Sequence, residues 1–231
     1  MSKELNSCYL KKVILESFQD LEKGNGIGVR ECAALDDYAD DHELIQARAL
    51  DVESNWWEYP DDCRDNYFDY ALTYNCRDGI LFHLPALMTA VIDGYGNIID
   101  VSLYGYLCEG VAQNPQNIPH HGHRGYVNYL QSINVYKIIA YFKFNSQQIH
   151  AISLYLLWEM QNDSYHFFEN REKWIAFNLK MHNIYKTHAS DGNYTLTIED
   201  VIAIVDENHR IVRDWFSAAK LDLKEWSVDK K

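Results

Sequence analysis

Basic residues are almost missing from one stretch of this chain. Between Glu31 and Asp69 only Arg48 and Arg64 are cationic. They stand against thirteen acids: Glu31, Asp36, Asp37, Asp40, Asp41, Glu43, Asp51, Glu53, Glu58, Asp61, Asp62, Asp65 and Asp69. Thirteen acids against two bases give that stretch a net of -11, out of -13 for all 231 residues. Such a field repels nucleic acid and anionic membranes, so neither is an expected partner. Long apolar runs are missing too. The longest, around Ala151 to Trp158, is too short to span a bilayer. The first residues, MSKELNSCYLKK, contain no apolar h-region, so no signal peptide is expected. The five cysteines (Cys8, Cys32, Cys63, Cys76 and Cys108) are odd in number, far apart and form no C-x-x-C pair. Free thiols in a reducing, cytoplasmic setting follow. The sequons at Asn162 and Asn193 then carry no meaning.

Catalytic signatures are equally scarce. There is no G-x-S-x-G, no H-E-x-x-H and no cysteine in a recognised catalytic context. The stretch GNGIG, Gly24 to Gly28, invites a phosphate-loop reading. It follows a helix rather than a strand and lacks the P-loop lysine, so a helix–helix turn is favoured. The stretch PHHGHRG brings His120, His121 and His123 into one loop beside Arg124. Zinc sites usually draw ligands from separate, braced elements, so an exposed polar loop is favoured over a metal centre. No catalytic residue, metal ligand or cofactor is assigned.

What is present supports a sizeable core. Hydrophobic residues make up 47% and aromatics 14%, with 17 tyrosines and 6 tryptophans. Apolar residues recur at helical steps over 3–23, and a second helical stretch begins near Val29. Residues 41–50 form a short helix with acids in its first turn. Pro60 opens another helix, to about Tyr70. Two β-rich runs flank NCRDG, whose Asp-Gly pair signals a turn, so a short hairpin is expected around residues 72–83. A helix then starts at Pro85. Residues 98–108 are ambiguous, and 109–125 form a long irregular loop. Asn145 with Gln148 caps a helix over 146–161, apolar almost all round and therefore central. A helix spans about 164–186. Thr197 with Asp200 caps the last helix, with Val201, Val205, Val212 and Phe216 on one face. The tail, 220–231, frays. The expected fold is mainly α: a single domain, 1–231, with that one hairpin.

One segment resembles a family of small bacterial proteins of unknown function, marked by a Tyr-Leu-Pro-Ala-Tyr-Leu-type motif at the start of a helix. The matching residues are Trp57 (or Trp56), Leu72, Tyr74, Gly79, Phe82, Leu84, Pro85, Ala86 and Leu87. Phe144, Gln148, Ile152, Leu156 and Trp174 extend the resemblance. His83 departs from it where an aromatic is usual, and the region between 94 and 140 is longer. The resemblance implies an α-rich fold with a small hairpin, and no established activity. Leu84-Pro85 reads as a strand-to-helix corner.

The acidic block leaves two readings open. It is a solvated surface, or a field that steers a basic partner. The second points to a non-enzymatic binding protein, in its most concrete form an immunity protein (antitoxin) that masks a basic secreted toxin domain. Its partner-binding residues would be Asp36, Asp37, Asp40, Asp41, Glu43, Asp51, Glu53, Trp56 and Glu58. The alternatives are a metal-assisted hydrolase built on the His120, His121 and His123 loop, and a regulatory domain with a small ligand. In NWWEYPDD, Trp57 is the expected core ring and Trp56 the exposed anchor, on the argument that neighbours on an extended backbone alternate faces.

Overall fold

The computed structural model describes residues 5–72, 74–95, 107, 130–162, 172, 175–176, 179–180 and 197–221. These are mainly helical, and no strand occurs among them. The chain divides into two compact units. One is Ser7–Leu107; the other comprises Met1–Asn6 and Cys108–Lys231.

In the first unit, α1 (Ser7–Phe18) buries Leu10, Ile14 and Phe18, a stripe at four-residue steps, and packs on α5 (Arg77–Ile92). Between them lie α2 (Val29–Asp36), α3 (Asp41–Leu50), a 3-10 turn at Trp56–Glu58, α4 (Asp61–Asn66) and a second 3-10 turn at Phe68–Tyr70. Helix α5 is the centre of the unit. It buries Gly79, Ile80, Phe82 and His83, then Leu84 through Met88, and Ala90.

This helix replaces the expected hairpin at 72–83. It begins at Arg77, with Asp78 and Gly79 in its first turn instead of in a hairpin bend. The cause is burial. A helix covered on all sides loses its amphipathic period, and its short apolar runs then read like strands. Pro85 lies inside the helix and not at its start. An interior proline costs about 3 kcal/mol, which the burial on both sides of it outweighs. Thr89 Oγ1 donates to the carbonyls of Pro85 and Ala86 at 3.1 and 2.9 Å.

The GNGIG stretch is a close-packing device. A Cβ on Gly26 would lie 2.3 Å from the Cα of Gly79, and one on Gly28 would lie 2.0 Å from the Asp51 carboxyl carbon. The glycines let the α1–α2 loop press against the start of α5 and against Asp51.

In the second unit, α6 (Val135–Phe142) and α7 (Ser146–Asn162) both pack on α8 (Ile198–Ala218). The Asn145 side chain accepts from the N–H groups of Gln147 and Gln148, and Gln148 accepts from the Asn145 N–H. Thr197 and Asp200 cap α8 in the same reciprocal way. Residues 151–157 of α7 are all buried, and Ser153 Oγ donates to the Trp215 carbonyl at 3.0 Å. Helix α8 buries Val201, Val205, Val212 and Phe216. The loop expected at 109–125, most of the helix expected at 164–186 and the tail beyond residue 221 lie outside the described residues.

Candidate functional site

The acids of the 31–69 block divide by where their charges go. Three are turned inward. Asp51 lies at the start of α2, where it accepts from the backbone N–H groups of Arg30 and Glu31 at 3.1 and 2.9 Å. It thereby caps a helix whose own N-cap, Gly28, has no side chain to do so. Glu53 is buried and pairs with Arg30 at 2.9 Å, and the same guanidinium reaches Asp51 at 3.4 Å. Glu31 is buried on α2 and receives both Nε and an NH2 group of Arg48 from α3. Burial pushes the Asp51 carboxyl above its ordinary range, against the pull of the two N–H groups and Arg30. Asp51 and Glu53, expected on the partner-binding face, are therefore internal braces.

Three more serve as local caps. Asp40 accepts from the N–H groups of His42 and Glu43, while Glu43 accepts from the Asp40 N–H, a capping box that opens α3. Glu58 accepts from the Ser54 and Asn55 N–H groups and the Asn55 amide, and these bonds hold its carboxyl below the ordinary range. Asp40, Glu43 and Glu58 remain exposed while they cap. Asp37 and Asp41 are exposed as well. Asp36 is half-buried and accepts from the Tyr74 hydroxyl at 2.9 Å.

The tryptophan pair is reversed from expectation. Trp56 is 3% exposed and Trp57 40%. The backbone is a 3-10 turn and not extended, so strand alternation does not apply. Trp56 turns inward because its indole finds a buried acceptor, the Phe18 carbonyl at 2.9 Å. Trp57 stands edge-on to it, with ring centroids 5.4 Å apart.

Above these braces the surface is unusual. Helix α3 has no buried residue. Leu44 and Ala47 are half-buried, and Arg48 ties the helix to α2. Ile45 (63% exposed), Leu50 (60%) and Val52 (76%) point to water, and Tyr38, in the turn before the helix, is 95% exposed. Exposed acids and exposed apolar groups thus lie close together along this segment: Asp37, Asp40, Asp41 and Glu43 with Tyr38, Ile45, Leu50 and Val52. The apolar members went unread in the sequence. The signal was there for Ile45, which falls off the stripe that Leu44 and Ala47 define.

Beneath α2 lies a buried polar pair. Tyr59 Oη lies 3.1 Å from His83 Nδ1, and His83 Nε2 lies 2.8 Å from the Ile27 carbonyl. A carbonyl only accepts, so Nε2 carries the proton and Nδ1 receives the tyrosine O–H. Burial lowers the His83 pKa to about 4 and raises that of Tyr59. Burial also pushes the Cys32 thiol up to about 12 and Cys63 up to about 11. Protonated thiols and a water-excluded Tyr–His pair hold the fold and offer no nucleophile at neutral pH.

Among the described residues no group of three or more His, Cys, Asp or Glu side chains is placed to hold a metal ion. His120, His121 and His123 lie outside the described residues. No helix among the described residues is long and apolar enough to cross a membrane. No curated protein and no solved structure matches the chain. A protein family does match, over residues 6–177, which takes in α1 to α7. The chain belongs to that family, the family of unknown function DUF6714.

Proposed function

We propose that this chain is a non-enzymatic acidic binding protein, and in its most specific form an immunity protein of the cytoplasm that binds and masks a basic secreted toxin domain. The observation that carries this reading is α3, a helix with no buried residue, braced from behind by Arg48–Glu31 and edged with exposed acids. A single-sign field of this kind speeds encounter with a cationic surface, and exposed apolar groups within it supply contact area. Of the residues expected at the interface, Asp37, Asp40, Asp41, Glu43 and Glu58 keep their carboxylates at the surface, with Asp36 half-covered beside them. Asp51, Glu53 and Trp56 support that surface from inside. The test is co-expression with the C-terminal domain of a large, basic secreted protein encoded beside this chain. The expected outcome is a complex whose affinity falls steeply as salt rises, because screening shortens the reach of the field. Failure to co-purify at low salt, or an affinity indifferent to salt, overturns the reading.

A further inference from the structure

Tyr38 occupies a left-handed position, where glycine is the commonest residue. Helix α2 ends in a Schellman motif: Ala39 N–H bonds the Ala34 carbonyl at 3.0 Å and Tyr38 N–H bonds that of Leu35 at 3.3 Å. The residue between must adopt a left-handed conformation, and Tyr38 does so at φ 57°. At the matching position after α5 the chain places Gly94, at φ 85°. Left-handed backbone strains every residue with a Cβ. Lys143 and Lys220 also take it, at φ 56° and 55°, but a lysine there keeps a charge in water. Tyr38 instead holds out an aromatic ring at 95% exposure. The fold gains little from that ring and accepts the strain of carrying it.

The ring does not stand alone. Tyr74, itself 43% exposed, donates its hydroxyl to Asp36, two residues before Tyr38. From Tyr38 the chain enters α3, whose ten residues span about 15 Å. Ile45 lies midway along it, one turn on from Asp41, and is exposed. We propose that Tyr38 anchors a docking ridge that Ile45 continues along α3, and that its occupant is a protein segment carrying arginine or lysine among apolar side chains. Asp37, Asp40, Asp41 and Glu43 border the ridge and select the basic charge. A second copy of this chain, at net charge -13, would bring like charge against like. Tyrosine is among the side chains that anchor interfaces, and a guanidinium stacks on its ring.

This deepens the acidic-binding reading and rests on it, so the experiment separates the two. Two synthetic probes are titrated by calorimetry: a helical peptide with arginines and leucines on one face, and oligolysine. Both should bind the wild-type chain and weaken with salt. Tyr38→Gly and Ile45→Ser should each weaken the arginine–leucine peptide at least about tenfold and leave oligolysine unchanged. The melting temperature of Tyr38→Gly should equal or exceed that of wild type, since glycine relieves the strain. Equal binding of both peptides by wild type and Tyr38→Gly overturns the ridge and leaves the acidic reading standing. No binding of either peptide at low salt overturns both. A lower melting temperature for Tyr38→Gly overturns the claim that the ring serves a partner. So does a wild-type dimer that Tyr38→Gly dissociates, which would give the ridge to a second copy.

Discussion

Trp56 donates its indole N–H to the Phe18 carbonyl across 38 residues of sequence, and so fastens the acidic segment to the end of α1. Its neighbour Trp57 is left at the surface. Trp56→Ala should destabilise the chain by roughly 3–5 kcal/mol, the range for losing a buried tryptophan. Trp57→Ala should cost no more than about 1 kcal/mol, because the ring is partly in water already. Urea unfolding of the two variants checks the order, and equal losses would contradict the placement of the pair.

Arg30 is the hub of the inward-turned acids. It pairs with Asp51 and Glu53, which keep 3% and 6% of their side-chain surface exposed, and its ring-facing guanidinium lies 6.0 Å from the Tyr67 centroid. Arg30→Met keeps most of the volume but leaves two buried carboxylates without their guanidinium. A loss on the order of 3–5 kcal/mol at neutral pH is expected. Pairing Arg30→Met with Glu53→Gln should restore part of it, because one uncompensated charge is gone. Chemical denaturation of both variants at pH 7 is the check, and a double variant no more stable than the single one would sink the account.

His83 should make stability depend on pH. Its folded pKa is about 4, against an ordinary 6.5. As pH falls through 6.5 the unfolded chain takes up a proton that the folded chain refuses. Stability therefore falls with pH between 6.5 and 4, by roughly 3 kcal/mol from this one group. His83→Gln can still donate to the Ile27 carbonyl and accept from Tyr59, but it does not titrate. The difference in unfolding free energy between wild type and His83→Gln should shift by about that amount between pH 7 and pH 4. A pH-independent difference would show that His83 is not a source of the acid sensitivity.

Several parts of the fold were legible because they are local. The caps at Asn145–Gln148 and Thr197–Asp200 are patterns at three-residue spacing, and each opens its helix as the spacing predicts. The stripe of Val201, Val205, Val212 and Phe216 is equally local, as is the central character of α7. The partner-binding set was only partly legible. Asp37, Asp40, Asp41 and Glu43 are exposed, as outward-facing acids should be. Asp51 and Glu53 look no different in sequence, yet they turn inward because Arg30, twenty-one and twenty-three residues away, lies between them in space.

Local pattern was enough to establish a mainly helical chain, the starts of most of its described helices, and the gathering of its negative charge into one segment. Capping patterns and hydrophobic periods act over a few residues, and composition needs no fold to be read. Long-range packing makes residues 77–92 one buried helix and not a hairpin, draws Trp56 and not Trp57 into the core, and sets which acids face water. Each of those outcomes depends on an acceptor, a cation or a covering surface supplied from far along the chain. Hydrogen bonding, desolvation and burial are settled by that distant neighbour, and no local pattern records it.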